Sequence, residues 1–200
     1  MGDVIMLSER LADRPTIGGT RSVLFFDLAC PFSYLTAERV ERALGDVDWV
    51  PCSLPAEYRQ LPRDLIARAE RQAFALQLPL VWPEGFPRAV PAAQRAAVYA
   101  AENGAGARFA LAASRLAFCG GYDLNDHEIL ADAAAAAGVP VDGCLAAAAD
   151  PARDVRLQAT ARRLRSCGVP RLPAIRIGRR WLWGEQMLSE ARPLLRNAAS

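Results

Sequence analysis

Cys30 is the residue best placed to do chemistry in this chain. It follows the apolar run from Ser22 to Leu28, which predicts a buried strand, and it precedes Pro31, a residue tolerated in the first turn of a helix. The unpaired N–H groups and the dipole of a helix start both stabilise a thiolate. We therefore predict that the pKa of Cys30 lies below the free value of about 8.5 and that Cys30 is the most reactive thiol.

The other cysteines fit a different interpretation, in which a free thiol is simply a small buried apolar side chain. This interpretation is also the alternative for Cys30, and we adopt it for the remaining four, at positions 52, 119, 144 and 167.

Ser33 lies three residues after Cys30, in the first turn of the predicted helix. Its hydroxyl can donate a hydrogen bond to the sulfur but cannot form a disulfide. Chemistry that needs a second sulfur must therefore take it from a small thiol or from another protein. The alternative is that Ser33 is an ordinary first-turn capping residue.

A few other side chains have more than one interpretation. Pro170 and Pro173 precede a predicted strand, where a proline either starts the strand or follows a cis bond. Trp181 and Trp183 alternate on one strand, so they share a face and belong either to the core or to the wall of a pocket. His127 stands in a capping segment, and we expect it to lie at the surface without a catalytic role.

Residue types that are missing exclude several chemistries. All 24 basic residues are Arg and there is one His, so a lysine Schiff base, a phosphate-loop lysine and a multi-histidine metal site are excluded. The five cysteines are odd in number and form no C-x-x-C pair, which predicts a reducing compartment, no disulfide framework and no thiolate zinc site. We expect no metal.

Charge and hydropathy also limit the partners. The net charge of +2 is spread without a block of one sign, so we expect no nucleic-acid partner. No apolar run approaches the roughly 20 residues of a membrane span, and residues 1–20 mix charges into any signal-like segment. We therefore expect a cytoplasmic protein without a membrane partner.

The elements around Cys30 predict an α/β fold. Residues 22–28, 32–44 and 47–52 form a βαβ unit with parallel strands. An Ala-rich helical block follows, and then a β-hairpin and a closing helix complete a ββα unit. The helices of the block are expected near 62–77, 91–103, 105–118, 126–137 and 141–149, a further helix near 151–166, the hairpin strands at 174–177 and 180–183, and the closing helix at 186–196.

This order describes a thioredoxin-like fold with an all-helical insertion between its halves. We assign residues 21–54 and 151–200 to a discontinuous thioredoxin-like domain. Residues 55–150 form the helical insertion, and residues 1–20 are an N-terminal lead-in.

Three segments in order resemble a known family. The segments FDLACPFSYL (26–35), LPLVWP (78–83) and GVPRLP (168–173) through Trp183-Gly184 resemble the DsbA-like thioredoxin superfamily. The nearest resemblance within it is to 2-hydroxychromene-2-carboxylate isomerases and kappa-class glutathione transferases. The resemblance covers most of the chain.

The resemblance implies a role for each matching residue. Cys30 takes the position of a glutathione-contacting Ser in the isomerases and transferases and of the attacking Cys in the disulfide oxidoreductases. Ser33 takes the place of the second Cys of the oxidoreductases. Leu172-Pro173 matches the cis-proline step, whose preceding backbone pairs with a thiol ligand. The count from Pro173 to Trp183-Gly184 favours Pro173 over Pro170.

Other matching positions differ from the family pattern. Glu185-Gln186 stands where the family has Gln-Asp, of which the Asp helps to hold the γ-glutamyl end of glutathione. Ala89 stands where the family has Asn. The resemblance thus implies glutathione or another low-molecular-weight thiol as cofactor, with Leu172, Pro173, Glu185 and Gln186 as candidate contacts.

Two enzymatic hypotheses follow. The first is a thiol-dependent isomerase or transferase acting on a small aromatic or electrophilic substrate, with Cys30 as the thiolate centre, Ser33 beside it and Phe32, Trp82 and Trp183 around the substrate. The second is a monothiol disulfide oxidoreductase, in which an external thiol resolves a mixed disulfide at Cys30. A non-enzymatic binding protein is a third interpretation. The expected partners are a small-molecule substrate and a small thiol, with a homodimer as a candidate assembly.

Overall fold

A four-stranded mixed sheet forms the base of the fold. The computed structural model describes residues 22–53, 63–184 and 186–198. Strand β1 (Ser22–Phe26) pairs in parallel with β2 (Val47–Pro51) and antiparallel with β3 (Ala174–Ile177), which pairs antiparallel with β4 (Arg180–Trp183). The order is β2-β1-β3-β4. The predicted parallel unit and the predicted hairpin are therefore both confirmed.

The register explains the sequence pattern of the strands. Ser22 lies between Val47 on one side and Ile177 on the other, so β1 is flanked by two strands and all five of its residues are buried. A strand that is covered on both faces has apolar residues at nearly every position of its sequence, because neither face meets water. β4 is an edge strand and is correspondingly more exposed. Gly178, with φ of 57°, makes the turn between β3 and β4.

Eight α-helices complete the part of the chain that the structure describes. They are α1 (Pro31–Leu44), α2 (Arg63–Ala75), α3 (Pro91–Glu102), α4 (Gly106–Phe118), α5 (His127–Ala137), α6 (Val141–Ala149), α7 (Asp154–Ser166) and α8 (Met187–Ala198). Each matches a predicted helix to within a few residues. None of the helices in these ranges has the length and apolar character needed to cross a membrane.

One predicted helix begins differently. The helix expected near 151–166 starts as a short 3₁₀ segment, Pro151–Arg153, before α7. The Asp150 side chain accepts a hydrogen bond from the Ala152 N–H at 3.0 Å and so caps this tighter turn.

The fold class is thus the predicted one, a thioredoxin-like sheet with an all-helical insertion between its halves. The proposed domain limits stay a prediction. The boundary between 54 and 55 and the lead-in at 1–20 lie outside the described residues.

The two faces of β1 belong to two different clusters of buried side chains. Leu24 and Phe26 point into the larger cluster, together with α1 and the helical insertion. Val23 and Phe25 point into a smaller cluster that includes Leu164 of α7. The sheet is therefore covered on both sides, and the carboxyl end of β1 leads directly to Cys30.

Candidate active site

Cys30 is the residue that precedes the first turn of α1. The Cys30 backbone is extended (φ −104°, ψ 116°), so this residue is not yet part of the helix. Pro31 occupies the first helical position, where its missing N–H costs nothing. The Cys30 N–H donates to the Asp27 carbonyl at 3.0 Å, and the Cys30 carbonyl accepts from the N–H of Ser33 at 3.0 Å. This is the predicted junction of strand, tight turn and helix.

The segment before β3 lies against Cys30. Leu172-Pro173 is a cis peptide, and the Cys30 thiol donates to the Leu172 carbonyl over an Sγ–O distance of 3.7 Å. The predicted cis bond and its position beside Cys30 are confirmed. The prediction that the Leu172 backbone is left free is wrong for its carbonyl, because the thiol already contacts that oxygen.

Of the two prolines before β3, Pro173 is the one that follows a cis peptide bond. Within the described ranges the cis bonds are Leu172-Pro173 and Phe86-Pro87, so Pro170 does not follow a cis bond. The cis bond at Phe86-Pro87 was not predicted.

Ser33 is buried and has a defined acceptor role. Its Oγ accepts from the Asp27 N–H at 3.1 Å, which leaves the hydroxyl proton to be donated elsewhere. Hydrogen bonding from the Ser33 backbone and side chain to the sulfur lowers the pKa of Cys30. The Ser33 hydroxyl therefore interacts with the Cys30 sulfur, which favours the interpretation that it supports the thiol over that of an ordinary capping residue.

The balance of effects on Cys30 is nevertheless opposite to the sequence prediction. Burial, together with the negative charge of Asp27, raises the pKa of the thiol from 9.0 to about 11, against the hydrogen bonds from Ser33 and Phe32. The prediction of a lowered pKa is wrong because it considered the helix start without the desolvation of a charged sulfur. Cys30 is half-buried, and its raised pKa disfavours the expected thiolate at pH 7.

Two buried polar residues near Cys30 were missed in the sequence. Asp27 and Gln94 are 4% and 1% exposed, and the Gln94 Nε2 donates to the Asp27 Oδ1 at 2.6 Å. Both carried a signal. Asp27 is a lone carboxylate next to the apolar run of β1, and Gln94 lies at helical spacing from the buried Val90, which precedes α3, and from the buried Ala97 on α3.

The three residues predicted to surround the substrate have separate environments. Phe32 is half-buried, with the Arg68 guanidinium 5.8 Å from its ring. The Trp82 ring packs on Phe86, and its Nε1 donates to Glu70 at 2.9 Å. Trp183 is exposed on the edge strand. No contact recorded within the described ranges joins these three side chains, so their shared role stays a prediction.

Trp181, the alternating partner of Trp183, belongs to the core. Its ring lies 5.3 Å from the Phe25 ring, on the face of the sheet covered by α7. Of the two interpretations of this pair, a core position therefore holds for Trp181.

An apolar pocket begins at Leu28 and Ala29, the two residues that precede Cys30. Aromatic side chains form much of its wall, and a salt bridge of 2.8 Å between Arg88 and Asp123 stands at its side. The lining residues are Leu28, Ala29, Pro83, Glu84, Phe86, Arg88, Val90, Ala117, Phe118, Tyr122, Asp123 and Leu124. The enclosed space has room for about one water molecule, so the lining marks an apolar surface next to the Cys30 turn rather than a ligand-sized cavity.

The positions expected to hold glutathione are only partly described. Gln186 is exposed before α8, and its carbonyl accepts from the Ser189 hydroxyl at 2.7 Å. Glu185 lies outside the described residues. The Ala89 carbonyl accepts from the Asn125 side chain at 3.1 Å.

The remaining candidate side chains are not part of the site. His127 is 78% exposed beside Asp126, at the surface as expected. None of the five cysteines, all in the described ranges, forms a disulfide; Cys52 and Cys144 are buried, Cys119 contacts the Tyr34 hydroxyl at 3.2 Å, and Cys167 is exposed. Among the described residues no group of three or more His, Cys, Asp or Glu is arranged to hold a metal ion.

Comparison with known protein families assigns the chain to a family. The family model of the DSBA-like thioredoxin domain matches residues 23–195, and the chain therefore belongs to the DsbA-like thioredoxin family. This family contains thiol oxidoreductases and isomerases, which makes an enzyme the expected kind of protein. A search of curated proteins found no match.

Solved structures show the same fold. A 2-hydroxychromene-2-carboxylate isomerase superposes with a TM-score of 0.73 at 15% identity, over 88% of this chain and 94% of that one. A probable DsbA oxidoreductase from Streptomyces coelicolor gives 0.70 at 23% identity, over 89% of each chain. The cytosolic disulfide reductase DsbM from Pseudomonas aeruginosa, with glutathione, gives 0.64 at 19% identity, over 88% of this chain and 98% of that one. At these low identities, the structural similarity shows the fold alone.

Proposed function

We propose that this protein is a thiol-dependent isomerase or transferase that acts on a small aromatic electrophile and holds a low-molecular-weight thiol, such as glutathione, at Cys30 and Ser33. The observation that carries the proposal is the position of the Cys30 sulfur at the start of α1, 3.7 Å from the Leu172 carbonyl, with a raised pKa that disfavours its thiolate. A neutral thiol is a poor nucleophile but a hydrogen-bond donor.

The reacting sulfur in this proposal belongs to the cofactor. The Cys30 S–H lies at a helix start, where it can turn from the Leu172 carbonyl to a bound thiolate, while the buried Ser33 hydroxyl supports the Cys30 sulfur from behind. When bound, that thiol would supply a nucleophilic sulfur for an electrophilic carbon of the substrate, and the electron pair of the bond that breaks would go to the leaving group in a transfer or return to the thiol sulfur in an isomerisation.

The apolar side chains next to the Cys30 turn support an aromatic substrate that docks against them. Phe86 and Phe118 meet edge to face, with their ring centroids 6.3 Å apart, and both line the pocket that begins beside Cys30. Walls of this kind favour a flat ring. Arg88, the cation among the lining residues, is paired with Asp123 at 2.8 Å.

A monothiol disulfide oxidoreductase is the second candidate. It is favoured by a sulfur at position 30 and by the contact of 3.7 Å between that sulfur and the Leu172 carbonyl, the position where the family resemblance places the main chain of a thiol ligand. In this reaction the Cys30 thiolate attacks a disulfide, one thiol leaves, and an external thiol releases the mixed disulfide. The raised pKa of Cys30 places this reaction second, because the attacking form is the thiolate.

The proposed compartment is the cytoplasm. The five free cysteines support a reducing environment, in which a small-thiol cofactor also stays reduced.

Two assays on the wild-type protein separate the candidates. We expect glutathione-dependent isomerisation of 2-hydroxychromene-2-carboxylate, followed by absorbance, to exceed the reduction of a glutathione mixed disulfide relative to each uncatalysed rate. The opposite ranking would replace the proposal by the oxidoreductase. No acceleration in either assay, with no bound thiol detected by mass spectrometry after native purification, would contradict both reactions.

A further inference from the structure

Gln94 of α3 is a fully buried amide with an uneven set of hydrogen bonds. Its Nε2 donates to the Asp27 Oδ1 at 2.6 Å and to the Cys52 carbonyl at 3.4 Å. Its Oε1 has no hydrogen-bond partner among the described residues. An apolar side chain of the same size would fill this space without leaving a buried acceptor unpaired, so the amide is not explained by packing alone.

Asp27, the main partner of that amide, holds the turn that ends at Cys30. Its Oδ1 also accepts from the Ala29 N–H at 2.8 Å, and its carbonyl accepts from the Cys30 N–H at 3.0 Å. Its own N–H donates to the Ser33 Oγ at 3.1 Å. Asp27 thus bonds to the backbone of Ala29 and Cys30 and to the Ser33 side chain that follows them.

We propose that Gln94 is a positioning residue for Cys30 that acts through Asp27: the amide orients the Asp27 carboxylate, and the carboxylate fixes the turn from which the thiol meets Leu172. The inference does not depend on which reaction Cys30 serves. It concerns the reactivity of the thiol itself, so it stands or falls separately from the proposed function.

The pKa of Cys30 responds to the groups that face its sulfur, so a change at Asp27 can be measured as a shift of that pKa. The end of β1 contributes the charged Asp27, and α1 contributes the Ser33 hydroxyl and the backbone N–H groups of Phe32 and Ser33. The Leu172 carbonyl faces the sulfur from the segment before β3, and α3 contributes its neutral amide to Asp27 rather than to the sulfur. From α2, Arg68 lies over the Phe32 ring. Asp27 is the charged side chain that raises the pKa of Cys30.

The test is a double-mutant cycle on the reactivity of Cys30. The rate of iodoacetamide modification of Cys30 is measured from pH 6 to pH 11 by mass spectrometry in wild type, Asp27→Asn, Gln94→Met and the double variant. Asp27→Asn keeps the shape and an acceptor for Ala29 but removes the charge. Gln94→Met keeps the length but removes the donor. Ser114→Ala, at another buried polar position, is the control for a general loss of stability.

The expected results separate positioning from a structural role. Asp27→Asn lowers the midpoint of the pH profile by about one unit, which makes Cys30 about tenfold faster at pH 7. Gln94→Met moves the midpoint the other way and slows Cys30 about threefold at pH 7, because the Asp27 carboxylate loses the amide donor that partly offsets its charge. In the Asp27→Asn background, Gln94→Met leaves the midpoint unchanged.

Three outcomes overturn the proposal. If Gln94→Met lowers the melting temperature as Ser114→Ala does but leaves the pH profile at the wild-type position, Gln94 is only a packing residue. If Gln94→Met moves the midpoint equally in the Asp27→Asn background, it acts on Cys30 without Asp27. If Asp27→Asn leaves the midpoint unchanged, the carboxylate does not control the thiol.

Discussion

The pH dependence of Cys30 modification follows from the environment of its sulfur. Burial and the charge of Asp27 raise its pKa from 9.0 to about 11. At pH 7 the thiolate fraction therefore falls from about 1 in 100 to about 1 in 10,000. We expect Cys30 to react with iodoacetamide about a hundredfold more slowly at pH 7 than an unburied thiol of the same nucleophilicity, with a further reduction from restricted access.

The assay uses the chain as its own reference. Cys167 is exposed after α7, so its modification in the same sample controls for reagent and time. Peptide mass spectrometry after short exposures gives one rate for each cysteine between pH 6 and pH 11. We expect Cys167 to react first at pH 7, and the Cys30 rate to rise with pH up to about 11. The order expected from the sequence, with Cys30 fastest, is thereby reversed.

Folding stability provides a second measurement of the same effect. A pKa raised in the folded state means that the folded protein binds the proton more tightly, so the stabilisation is complete below the unfolded value and is lost as pH rises through the folded value. The shift from 9.0 to about 11 corresponds to about 2–3 kcal/mol lost between these pH values. Cys144 is raised in the same way, so the contribution of Cys30 is the difference between wild type and Cys30→Ser. A Cys30 midpoint below 8.5, or modification of Cys30 ahead of Cys167 at pH 7, would refute the reasoning.

Three further predictions concern the frame and the ligand. Tyr34→Phe removes the hydrogen bond of 2.8 Å to the Pro79 carbonyl and should cost about 1–2 kcal/mol in urea unfolding; a loss within error would show that the bond contributes nothing. Asp154→Asn breaks two bonds of 2.7 Å from Arg95 and should cost about 1 kcal/mol at pH 7. The pKa of Asp154 is lowered in the folded protein, so this cost should begin to shrink only below the unfolded value of about 4 and vanish as pH falls through the folded value; a cost that shrinks above pH 5 would contradict it. Gln186→Asp should tighten glutathione binding about tenfold in calorimetry, because a carboxylate adds charge to the bond with the ligand ammonium. No gain would indicate that this position does not contact glutathione.

The fold could be predicted because its signals are local. The apolar run of β1, the proline at the start of α1 and the glycines between helices each act on a few neighbouring residues. The cis bond at Leu172-Pro173 was accessible through the family resemblance. Phe86-Pro87 had no comparable pattern around it, and its cis bond was missed.

The chemistry of the site could not be predicted because it depends on contacts distant in sequence. Whether Cys30 is a thiolate depends on how much surrounding structure removes water from the sulfur, and 142 residues separate it from Leu172. The pair of Asp27 and Gln94 is 67 residues apart. The position at a helix start correctly predicted hydrogen bonds that lower the pKa of Cys30. It did not predict the burial that raises this pKa by more.

The proposal that Cys30 holds a cofactor sulfur, rather than attacking the substrate itself, is tested most directly by replacing its sulfur with oxygen. The measurement is glutathione-dependent turnover of 2-hydroxychromene-2-carboxylate by wild type, Cys30→Ser and Cys30→Ala. A hydroxyl donates the same hydrogen bond, so Cys30→Ser should keep at least the wild-type rate, whereas Cys30→Ala should lose about tenfold or more with the donor. Loss of all turnover in Cys30→Ser would contradict the proposal and make Cys30 the nucleophile.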